Sequence, residues 1–301
     1  MSLIESALAR ARALAGEAAS PGARPGAAKG RPAALRSHAG APSSGSPSIE
    51  PAERILAQAL AVDRRLCAEN RVLIDDAGGE LAAATAAYRM LRTRLLRRAR
   101  VNGWTTIGVT SATSNDGKSL TVLNLGISLA REGNSEVVLL DLDMRNPSMC
   151  QYLGVQPAGH LLDFFEHRAK LADMFFSIGV DNLLLASATV ATERASELLA
   201  ASECDELIQY VREHTANPIV LIDLPPVLVT DDALVVAPKV DALLVVAAEG
   251  QTHRADLDKA LGLLTEFPIA GLVLNRAIES GATYGYGYGY GYGHGSDEPR
   301  G

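Results

Sequence analysis

Through the middle of the chain, short unbroken apolar blocks alternate with longer stretches of helical periodicity. Blocks at 104–110, 136–142, 182–186, 218–224, 241–247 and 269–274 are rich in Val, Ile and Leu and read as strands. Helical spacing follows at 120–133, 161–176, 196–215 and 254–267, and upstream at 51–69 and 79–100, with a short segment at 71–74 between those two. Short strands this apolar need cover on both faces, so the pattern predicts an α/β fold: a doubly wound, mostly parallel sheet. In such sheets ligands sit beyond the carboxyl ends of the strands.

The flanks differ. Residues 1–19 have the capping-box pair Ser2 and Glu5 and an apolar Ile4, Leu8, Ala11, Ala15 repeat, predicting a short amphipathic helix. Residues 20–48 are rich in Pro, Gly, Ala and Ser, carry Arg24, Lys29, Arg31 and Arg36, and include no acid. That composition buries too little surface to order itself, so a disordered basic linker is expected. A folded domain over 49–280 and a flexible tail over 281–301 complete the expected division.

Composition narrows the class. A net charge of −7 argues against a dedicated nucleic-acid binder, and Cys67, Cys150 and Cys204 form neither a disulfide framework nor a zinc pattern. With no signal-peptide pattern and no apolar run of the ~18–20 residues a span needs, a soluble protein of a reducing cytoplasm is expected.

Residues 112–119 read A-T-S-N-D-G-K-S between a predicted strand and a predicted helix. That context makes a phosphate-binding loop of Ser114, Asn115, Asp116, Gly117, Lys118, Ser119 and Leu120, with backbone N–H groups and the helix N-terminus facing phosphate. Lys118 would reach the β- and γ-phosphates of ATP, and Ser119 would take a Mg²⁺ position. Ala112 replaces the first glycine of the pattern.

Two acidic motifs follow strands. V-V-L-L-D-L-D-M-R-N-P places Asp141 and Asp143 two residues apart on one face, and I-V-L-I-D-L-P-P places Asp223 after an apolar run. Carboxylates at strand ends beside a phosphate loop suit Mg²⁺ binding and orientation of a nucleophile. Asp141 is the first choice for a base, with Asp143 and Asp223 near the metal. Arg145 either stabilises the transferred phosphoryl or pairs with a structural carboxylate.

Residues 284–293 repeat Y-G, so Tyr284, Tyr286, Tyr288, Tyr290 and Tyr292 stand on glycine spacers. Glycine at alternate positions weakens a strand. Beside an ATP site, a mobile tail of phosphoryl acceptors is expected.

Together these motifs resemble the bacterial tyrosine kinases over about residues 70–300. D-L-D-M-R-N-P matches that family's Walker A′ segment and I-D-L-P-P its Walker B segment, with A-S-E-L-L at 195–199 and G-L-V-L-N at 271–275 in the family's order. The opening M-S-L-I-E-S-A-L is similar to the autokinases of exopolysaccharide and exosortase loci. The resemblance implies Mg²⁺-ATP-dependent autophosphorylation of the tail in trans, nucleotide contact at Asn275, and control of exopolysaccharide synthesis or export. It also implies a ring-shaped homo-oligomer. The cytosolic segment of a membrane polysaccharide co-polymerase would be the activator, placing the chain at the inner face of the cytoplasmic membrane. The family's oligomerisation motif aligns with Arg89 and Arg92, while its acidic position is Ala86.

Arg89, Arg92, Arg94, Arg97, Arg98 and Arg100 crowd one helix end, reading as a solvated basic face or as a surface for anionic lipid or an acidic partner. A ParA/MinD-like ATPase is the competing reading, although the second lysine of that group is here Thr113. A nucleotide-gated assembly scaffold is another.

Overall fold

The computed structural model describes residues 55–75 and 81–277. The expected N-terminal helix, the basic linker and the tyrosine tail lie outside the described residues. The strands are β1 Gln58–Ala59, β2 Thr106–Ser111, β3 Val137–Asp141, β4 Phe176–Ser177, β5 Leu183–Ser187, β6 Ile219–Asp223, β7 Ala242–Ala248 and β8 Ile269–Asn275. They form one sheet in the order β1-β4-β5-β3-β6-β2-β7-β8. Neighbours are parallel except β4 and β5, which run antiparallel. The doubly wound α/β fold is therefore as expected.

Helices cover both faces: α1 Arg64–Glu69, α2 Ala82–Asn102, α3 Lys118–Ala130, α4 Met149–Leu153, α5 Leu161–Phe165, α6 Ala195–Ala200, α7 Ser202–His214, α8 Asp232–Val236 and α9 Arg254–Leu263. Alternate residues of one strand enter different cores. Val138 and Leu140 of β3 join the layer with α6, α7 and α9, while Val137 and Leu139 join the layer with α2 and α3. Helix α3 lies so close to β3 that a Cβ built on Gly126 would come 2.5 Å from Leu139 Cδ2. Glycine here lets the phosphate-loop helix settle onto the central sheet. Cys67, Cys150 and Cys204 are free and buried. No helix of the described residues is long and apolar enough to cross a membrane.

Three expectations need correction. The helix foreseen over 51–69 begins only at Arg64. Before it, β1 extends the sheet edge, with Gln58 N donating to Phe175 O and Leu60 N to Ser177 O. The Asp63 side chain then caps α1 by accepting from Leu66 N at 3.0 Å. The helix foreseen over 161–176 stops at Phe165; His167 turns through φ 58°, and Phe176–Ser177 pair with strands on either side. The helix foreseen over 196–215 is two helices, because Ala201 is extended (ψ 164°) between α6 and α7. Helices α4 and α8 are too short to leave a periodic signal.

Candidate active site

The phosphate loop turns between β2 and α3 through two left-handed residues, Asn115 (φ 65°) and Gly117 (φ 87°). It is braced from within and from the ends of β7 and β8. The Asp116 carboxylate accepts from Thr113 N and Thr113 Oγ1, both at 3.1 Å, and from Thr252 Oγ1 at 2.7 Å. Asn275 Nδ2 donates to Asp116 O at 2.9 Å, Gln251 Nε2 to Ser114 O at 3.1 Å and Arg276 Nη2 to Asn115 O at 2.9 Å. Asp116 is fully buried, and both its carboxylate oxygens are engaged in this brace. Leu120 packs its side chain into the apolar layer beneath α3. Thr113, at the position of a second lysine in the competing ATPases, serves the same brace.

A cleft of about 180 Å³ opens above the loop, lined by Ser114, Asn115, Gly117, Lys118, Ser119, Asp143, Arg145 and Arg276 among others. Lys118 Nζ lies 3.1 Å from Asp143 Oδ2, with both side chains nearly buried. Burial alone would lower the Lys118 pKa, but the carboxylates of Asp223, Asp143 and Asp141 together raise it. The lysine therefore stays charged. Asp143 Oδ1 also accepts from Asn146 N at 3.3 Å.

Asp141 and Asp223 end adjacent parallel strands and stand opposite each other in register. Asp141 Oδ2 accepts from Ser148 N at 3.1 Å and Met149 N at 3.2 Å, and Ser187 Oγ stands 3.1 Å away. Its Oδ1 and both oxygens of Asp223 are buried without a hydrogen bond of ordinary geometry. Burial, then the Asp223 carboxylate, pushes Asp141 up to about 8. Burial also raises Asp223, to about 6, although Lys118 and Ser119 pull it down.

Orphaned carboxylate oxygens beside a serine hydroxyl form an all-oxygen donor set, which fits Mg²⁺. Among the described residues no three His, Cys, Asp or Glu side chains converge as a metal cage. Mg²⁺ does not need one: it commonly takes one or two protein ligands and completes its shell with waters and phosphate oxygens.

Arg145 is paired with carboxylates in this structure. Its Nε donates to Asp232 Oδ2 at 2.8 Å and its Nη2 to Asp232 Oδ1 at 3.3 Å, while Nη1 meets Glu193 Oε2 at 3.0 Å. Arg92, aligned with the oligomerisation motif, is turned inward: Nη1 donates to Ser128 O at 2.8 Å and Nε lies 3.5 Å from Glu132. Arg89 is exposed on the same helix. Local spacing carries no trace of Thr252, Gln251, Arg276 or Asp232. All four reach the site through long-range contacts.

A mostly parallel sheet with a strand–phosphate loop–helix unit and acidic strand ends defines a P-loop NTPase. Residues 104–283 match the family model described as ParA, NUBPL iron-transfer P-loop NTPase. Within that class, the chain belongs to the bacterial tyrosine kinases and is a protein-tyrosine kinase. It is 30% identical over 185 residues to tyrosine-protein kinase CpsD of Streptococcus pneumoniae serotype 4, covering 60% of this chain and 79% of that protein. The VpsO kinase domain matches at 26% identity and TM-score 0.59, covering 66% of this chain and 98% of that one. The kinase domain of Escherichia coli tyrosine kinase ETK matches at 25% identity and TM-score 0.59, covering 69% and 80%.

Proposed function

We propose that this kinase uses Mg²⁺-ATP to phosphorylate its own tail at Tyr284, Tyr286, Tyr288, Tyr290 and Tyr292, in trans within a homo-oligomer. The reading rests on one conjunction: the phosphate loop, with Lys118 and three strand-end aspartates, belongs to a chain carrying five glycine-spaced tyrosines. Lys118 and the N-terminus of α3 bind the transferred phosphates. Ser119, Asp143 and Asp223 would hold Mg²⁺, which supplies neutralisation of phosphate charge. Asp141 takes the phenolic proton, consistent with a buried carboxyl whose pKa is near the working pH and whose Oδ1 is unengaged. Asn275 contributes to the nucleotide site by closing the loop, and Arg89 and Arg92 lie on the helix assigned to subunit contact.

The activator is the cytosolic segment of a membrane polysaccharide co-polymerase, bringing the kinase to the inner face of the membrane to regulate exopolysaccharide assembly and export. The opening motif and the family resemblance support this role.

An anti-phosphotyrosine blot tests the reading. Wild type should label, whereas Lys118→Met and a chain truncated after Ala282 should not. Truncated active enzyme should label full-length Lys118→Met protein when the two are mixed, which is the trans step. ATP hydrolysis without phosphotyrosine would overturn the autokinase in favour of an ATPase.

A further inference from the structure

Arg145 follows β3 and Asp232 opens α8, 87 residues later, yet they form the most extensively hydrogen-bonded ion pair at the cleft. Asp232 is fully buried, and both its oxygens are taken by one edge of the guanidinium, Nε and Nη2. A planar guanidinium held on that edge keeps a single orientation, unlike a lysine ammonium, which is a point charge on a flexible stem. The other terminal nitrogen, Nη1, rests on Glu193, whose side chain is 97% exposed. A contact that exposed contributes little and is readily exchanged. Met144, next to Arg145, is tied in turn by Thr192 N donating to its carbonyl at 2.9 Å. The guanidinium thus has one fixed edge and one exchangeable edge, and Arg145 lines the same cleft as Lys118 and Ser119.

We propose that Asp232 is a positioning residue for phosphoryl transfer: its buried carboxylate locks Nε and Nη2 of Arg145 so that Nη1 is presented to the incoming phosphoryl or tyrosyl oxygen, displacing Glu193. This rests on the kinase reading above. The carboxylate touches no substrate and acts only through the arginine.

Kinetics on the full chain, with a mutant cycle, test it. Arg145→Ala should lower kcat by ~10²-fold, the usual loss for one transition-state donor. Asp232→Asn should lower kcat by about 10-fold, as expected for a displaced rather than deleted group. ATP affinity should stay near wild type in both. In the Arg145→Ala background, Asp232→Asn should cost nothing further, whereas a merely structural role would add its full effect. Arg145→Lys, which keeps charge but cannot form the fork, should lose kcat with little change in melting temperature; it decides the matter if Asp232→Asn fails to fold. Glu193→Gln should leave kcat unchanged. Wild-type kcat in Asp232→Asn or Arg145→Lys, additive losses in the cycle, or an equal loss in Glu193→Gln would overturn the proposal while leaving the kinase intact. Phosphotyrosine persisting in Lys118→Met would instead remove the kinase reading beneath it.

Discussion

Asn275 and Gly117 fit together at the mouth of the phosphate loop. The Asn275 amide donates to Asp116 O at 2.9 Å, and a Cβ built on Gly117 would fall 2.0 Å from that same nitrogen. Gly117 is thus required twice, by its φ of 87° and by the side chain against it. Gly117→Ala should cost more than ~1 kcal/mol of stability, since alanine is strained at positive φ. It should also weaken ATP binding, because Asn275 must move and release the loop. Titration calorimetry with ATP checks this; wild-type affinity would show that the contact is dispensable.

Asp141 and Asp223 make stability depend on pH in the direction opposite to an ordinary salt-bridged carboxylate. Burial, reinforced at Asp141 by the Asp223 carboxylate and opposed at Asp223 by Lys118 and Ser119, places them at about 8 and about 6. In the unfolded chain both titrate near ~3.9, so between those limits the folded state holds more protons. Stability from these groups is therefore full at low pH and falls as pH rises from about 4 through 8. In nucleotide-free protein, Asp141→Asn should raise the melting temperature at pH 8 by at least ~2 °C, the effect of about 1 kcal/mol in a domain of this size. At pH 4 it should change little. Calorimetry at both values decides, and an equal change at both would mean Asp141 is already ionised.

Asp223 interacts with Lys118 and Ser119, and both its oxygens are buried without a hydrogen bond of ordinary geometry, as a metal-shell carboxylate would be. Asp223→Asn should lower kinase turnover by at least ~10²-fold, while ATP binding partly survives through the loop backbone. Near-normal turnover would return Asp223 to a structural role.

Thr252 relays β7 to the loop: its hydroxyl accepts from Ala248 N and donates to Asp116 Oδ1, each at 2.7 Å. Thr252→Val keeps the shape but strands a donor and a buried acceptor, at a cost of ~1–3 kcal/mol for each unsatisfied group. Weaker ATP binding is expected from the loosened loop, and Thr252→Ser should restore it. Failure of serine to rescue would point to the methyl group instead of the hydroxyl.

What the sequence by itself determined lies within a few residues of chain. The unit around A-T-S-N-D-G-K-S, the apolar strands and the aspartates at their ends follow from local periodicity, turn chemistry and the two-residue repeat of a strand. Short elements escaped for the same reason: β1, α4 and α8 owe their form to partners rather than to propensity, as Gln58 and Leu60 bonding to the chain around β4 show. Tertiary structure alone decided which charges meet. Asp141 opposes Asp223 because β3 and β6 are neighbours in the sheet. Arg145 finds Asp232 across 87 residues, and Asn275 reaches Asp116 across 159. Such contacts leave no local pattern, since their energy comes from desolvation and geometry that exist only once the sheet has brought distant strand ends together.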